Sequence, residues 1–113
     1  MESTKEIKEN YPVCTIDETA LSAEQKDHHK NLARDIMGKI QEMKELPNGY
    51  SLRFPLNTKM INSVAEFVSL EQKCCSFFGF DLSIGPNNGP LWLSITGGPG
   101  AKSFLEMEMG MNA

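Results

Sequence analysis

No run in this chain approaches the roughly 20 apolar residues that a membrane-crossing helix requires, and residues 1–10 are polar, with no apolar core of a secretory leader. A cytoplasmic protein that does not engage membranes is expected. The eleven Lys and Arg residues are scattered and never gathered into a stripe, against fifteen Asp and Glu and a net charge of −4. A nucleic-acid surface is therefore not expected either. Cysteine is scarce: of three, Cys74 and Cys75 are adjacent, and an odd count with a vicinal pair does not make a disulfide framework. Paired C-x₂-C or histidine spacings of a zinc module, the C-x-x-C of a thiol redox protein and internal repeats are all missing.

What is present is ordinary globular material. At 113 residues, 40% hydrophobic and 23% charged, the chain has the length and composition of one domain with its own core. Residues 1–10 read as a flexible arm and 11–113 as a single α+β domain. Val13 and Thr15 suit a short strand over 11–16, confined to an edge by Pro12. Ser22 and Gln25 form a capping-box pattern, and Leu32, Ile36, Ile40 and Met43 recur at helical spacing, predicting a first helix over 22–46 that stops at Pro47 and Asn48-Gly49. Tyr50, Leu52, Phe54 and Leu56 alternate with polar residues as a strand does. A second helix follows from an Asn57 or Thr58 cap to about Cys75. Phe78–Ile84 and Leu91–Ile95, separated by a Gly/Pro/Asn cluster, predict a β-hairpin, and residues 101–109 a short final helix with Phe104 and Leu105 buried. The expected architecture has two layers, with helices packed on one face of a small mixed sheet that ends in the hairpin. The link through the second helix is a candidate parallel crossover.

The chemistry concentrates at the end of the second helix. At about 100° per residue, Met60, Ile61, Val64, Phe67, Val68, Cys74 and Cys75 share one broad apolar face, and Glu71 falls near its middle. An acid withdrawn from water needs a donor, a cation or a metal. Glu71, Cys74 and Cys75 are spaced i, i+3, i+4 and so project from one side of the helix. Two thiolates with a carboxylate make a ligand set for zinc or another soft metal or metalloid ion. Cys14 lies ahead of the first helix and would add a third sulfur if its segment runs beside the second.

Plainer readings compete. Cysteine is often a small core residue, and Glu71 can cap a backbone amide or pair with Arg34 or Arg53. Thiol catalysis is disfavoured, because a helix carboxyl end and a neighbouring carboxylate both raise a thiol pKa; an enzyme is less expected than a binding protein. His28-His29 flank the apolar stripe of the first helix, and a solvated pair is the simpler assignment, with one of them facing the thiols as the alternative. Trp92 points away from Leu91 and Leu93, and a dimer contact through it and the hairpin is a third functional option. Met107, Met109 and Met111 alternate in a tail and are discounted as thioether ligands.

Cys14 before a polar helix, the run Glu71-Gln72-Lys73-Cys74-Cys75-Ser76-Phe77 and the later Leu91-Trp92-Leu93-Ser94-Ile95-Thr96-Gly97 together resemble a group of small bacterial proteins of unestablished function. An early cysteine, E-x-x-C-C-x-F, a hairpin and a short last helix mark that group. It is similar to a module that follows the DNA-binding region in some MerR-like regulators, a class that often senses metals. The resemblance implies a ligand-binding role for Cys14, Glu71, Cys74 and Cys75. Ser76 stands where many relatives have proline.

Overall fold

The structure is a computed structural model that describes residues 17–109; the strand expected over 11–16 and Cys14 lie outside the described residues. Helix α1 (Ala23–Met37) starts where the sequence signals it. Gln25 N–H donates to the Ser22 hydroxyl and Ser22 N–H to the Gln25 side-chain oxygen, so two otherwise unpaired donors of the first turn are satisfied reciprocally. Buried Leu32 and Ile36 define its inner stripe.

The helix ends earlier than expected. Gly38 caps it, its N–H donating to the Arg34 carbonyl, and Glu42–Leu46 forms strand β1 instead of continuing the helix to residue 46. These residues are good helix formers, but β2 (Gly49–Phe54) offers a complete ladder of partners, from Glu42 opposite Arg53 to Leu46 opposite Gly49. Tertiary pairing outweighs the weak local preference.

Helix α2 (Thr58–Cys74) is capped by Asn57, whose side-chain oxygen accepts from Met60 N–H at 2.8 Å. Strands β3 (Phe78–Ile84) and β4 (Leu91–Gly97) form the hairpin, and α3 (Ala101–Glu108) closes the described chain. At the hairpin loop Asn87 and Asn88 take left-handed backbone, φ 58° and 56°, a conformation asparagine tolerates better than most residues.

The sheet runs β1-β2-β4-β3, and every described pairing is antiparallel, where a mixed sheet was expected. Because β2 and β3 each run antiparallel to β4, they are parallel to one another. The β2-α2-β3 link is thus a crossover, with β4 inserted between its two strands. Tyr50, Leu52 and Phe54 of β2 and Leu91, Leu93 and Ile95 of β4 point to one face and are all buried. They meet Met60, Val64 and Phe67 of α2, Leu32 and Ile36 of α1, and Leu105 of α3 in one core. The helices therefore lie on one side of the sheet. Each such fully buried side chain contributes about 1.5–3 kcal/mol relative to exposure.

The other face is polar and carries a Ser51–Ser94 hydroxyl pair at 2.8 Å. Trp92 projects from that face half-buried, with Lys44 Nζ 4.8 Å from its ring centroid, a cation–π contact within β1-β2-β4. No helix among the described residues is long and apolar enough to cross a membrane.

Candidate metal centre

The last turn of α2 carries the chemistry. Phe67 and Glu71 are one turn apart and face inward, and Glu71 is 1% exposed, the one charged residue among the described buried set. Cys75, the C-cap, donates its N–H to the Glu71 carbonyl at 2.8 Å, which turns the chain so that its own thiol is also buried. Cys74 remains partly accessible. Its Sγ lies 3.5 Å from Cys75 Sγ and 3.7 Å from the Glu71 backbone oxygen. The adjacent thiols thus lie near the buried Glu71, with Cys75 buried and Cys74 partly accessible.

The partner of Glu71 is neither Arg34 nor Arg53. His29 Nε2 donates to Glu71 Oε1 at 2.6 Å across the α1–α2 contact. Phe67 fixes that imidazole by stacking on it, ring centroids 5.1 Å apart and planes 20° apart. His29 Nδ1 is buried with no hydrogen-bond partner among the described residues. His28, the other member of the pair, pairs with Glu66 at 2.9 Å on the exposed side. The plainer assignment of both histidines to solvent holds for His28 and fails for His29. The spacing of His29, Leu32 and Ile36 along one stripe was the available signal.

A second carboxyl completes the cluster, and sequence reasoning missed it. Glu108, at the end of α3, keeps much of its side chain in solvent, but its carboxyl reaches Glu71. Desolvation, then the nearby Glu71 charge and a hydrogen bond to it, push the Glu108 pKa up to about 8. Nothing in the pattern of α3 marks it, because the contact is purely tertiary.

Two overlapping groups have mutually close ligand atoms, each set within 4.8 Å: His29, Glu71 and Cys74, and Glu71, Cys75 and Glu108. Each could hold a metal ion, and neither unites both cysteines with Glu71. Burial above all raises both thiol pKa values, and the Glu71 charge adds to it. Both cysteines are therefore protonated at neutral pH and poor free nucleophiles.

A cavity of about 380 Å³ opens beside the cluster between the three helices. Ala33, Met37, Phe67, Leu105 and Met109 form its apolar walls, with His29, Glu71 and Glu108 on the polar side. Exposed Lys30 and Arg34 also line it. Finally, Asp17 N–H donates to the Cys74 carbonyl at 2.8 Å, tying the segment ahead of α1 to the thiol-bearing end of α2. No family model, curated protein or solved structure matches the chain.

Proposed function

We propose that this protein is a cytoplasmic binding domain for a soft metal or metalloid ion, held by Cys74 and Cys75 with Glu71 as ligand or supporting base and Cys14 as a third sulfur. The observation that carries this reading is the buried Glu71 carboxylate set against two thiols 3.5 Å apart. A carboxylate in that position is costly without compensation, and adjacent thiols are the donors soft ions select.

Three further features support it. His29 donates to the same carboxylate and so orients it, as partners behind a metal ligand commonly do. Cys74 and Cys75 are free thiols, which suits a reducing compartment. Asp17, bonded to Cys74, lies three residues after Cys14, a chain length that spans at most about 10 Å. The resemblance of the sequence motifs to the module of MerR-like regulators favours a metal-linked role.

Native mass spectrometry of protein purified without chelator, then exposed to zinc, mercury(II) or arsenite, tests the reading. One ion per chain is expected, lost when Cys74 and Cys75 are both replaced by serine. Absence of any bound ion in the unaltered protein overturns it.

A further inference from the structure

The spacing of the two sulfurs and the character of the space beside them narrow the class of ligand. At a metal–sulfur bond of about 2.3 Å, a tetrahedral ion holds two sulfurs about 3.8 Å apart and a linear one about 4.6 Å apart. The two free thiols touch at 3.5 Å, and an atom bridging them without moving them would, at that same bond length, subtend an angle of about 100°. That is the pyramidal angle of a trivalent element with a lone pair. Such an element makes a third bond, and across Glu71 and Glu108 from the thiols lies a cavity of about 380 Å³ with Ala33, Met37, Phe67, Leu105 and Met109 as its apolar walls. An apolar cavity of about 150 Å³ is already enough to take benzene. Neither cysteine lines the cavity; Glu71 and Glu108 do, and their carboxyl oxygens stand within 4.8 Å of Cys75 Sγ, so an organic group on the sulfur-bound atom reaches the cavity past these two side chains.

Resting on the metalloid reading above, we propose that the site takes a trivalent organoarsenical, with arsenic bonded to Cys74 and Cys75 and its organic group lodged in the cavity between α1, α2 and α3. The reaction is a condensation. An arsonous acid R–As(OH)₂ loses both As–O bonds and gains two As–S bonds, while the two thiol protons leave with the two hydroxides as water. No electrons change hands and arsenic stays trivalent. Both reactants and the adduct are neutral, so binding adds no charge to a pocket in which Cys75 is 1% exposed. Inorganic arsenite lacks the organic group, and its third valence then needs another donor, for which Cys14 is the one further sulfur among the cysteines of the sequence. The two ligands thus differ in what completes the arsenic: cavity contact for one, Cys14 for the other.

Phenylarsine oxide and arsenite, each competed against a small dithiol and read by intact mass and by affinity, separate these cases. The unaltered protein is expected to bind phenylarsine oxide the more tightly. Ala33→Trp, which fills the cavity, is expected to weaken phenylarsine oxide by at least about tenfold and leave arsenite unchanged, while Cys14→Ser does the reverse. If Ala33→Trp fails to fold by circular dichroism, Met37→Trp fills the same space from another wall. Loss of both ligands in equal measure, or of neither, in the folded variant overturns the organoarsenical inference and leaves metalloid capture standing. Failure of the unaltered protein to bind either arsenical while binding zinc or mercury(II) also overturns it; failure to bind any of these ions removes the broader reading as well.

Discussion

His29 and Glu71, 42 residues apart in sequence, meet at 2.6 Å and join α1 to α2 through a contact that is almost sealed from water. Deleting either partner strands the other in a buried place, which costs about 1–3 kcal/mol. His29→Ala and Glu71→Gln are each expected to lower the free energy of urea unfolding by that amount. The double variant should lose less than the sum of the two. Additive losses would show that the pair does not interact.

Glu108 makes stability depend on pH in an unusual direction for a carboxylate. Its pKa stands at about 8 in the folded chain against a reference value of 4.5, so the native state binds the proton more tightly than the unfolded state. The resulting stability is fully present below about 4.5 and is lost as pH rises through about 8. Unfolding free energy should therefore fall between these limits, and Glu108→Gln should flatten that part of the profile. A profile of the unaltered protein that rises over the window, or that Glu108→Gln leaves unchanged, contradicts the assignment.

The two thiols should resist alkylation. Burial raises the pKa of both, with the Glu71 charge adding to it, and only the thiolate reacts. Iodoacetamide at neutral pH is expected to label native Cys75 more slowly than Cys74, and both at least about tenfold more slowly than in urea. Rapid labelling of either in the folded protein would favour a thiol enzyme over a binding domain.

Gly49 marks a place where the sheet has no room. A Cβ there would stand 1.9 Å from the Ile95 carbonyl oxygen, a backbone atom that cannot swing aside. Gly49→Ala is expected to cost more than about 2 kcal/mol in thermal or urea unfolding, near the upper end of overpacking penalties. A loss below about 0.5 kcal/mol, typical of open surface sites, would be incompatible with this packing.

The inward turn of Glu71 and its sharing of a helix face with both cysteines were legible because α2 has a clean helical period with buried residues at Met60, Val64 and Phe67. The hairpin was legible for the matching reason, alternation on both sides of a turn cluster. Strand β1 was hidden because its residues are mostly exposed at a sheet edge, so no apolar rhythm distinguishes Glu42–Leu46 from the end of a helix. Strand order was hidden because antiparallel insertion of β4 between β2 and β3 leaves no local trace. Glu108 was hidden for a related reason: a carboxylate on a short amphipathic helix looks solvated until the fold brings it to a second acid.

The placement of β4 has a consequence for biosynthesis. The strand that divides β2 from β3 is the last of the described strands to leave the ribosome, so until residue 97 emerges the earlier part of the chain holds two separate halves with open flanks. Final closure is a late event that joins distant parts of the chain, the kind of step that sets folding speed and exposes nascent strands to misassociation. A premature stop ahead of Leu91 would remove the middle of the sheet rather than trim its margin.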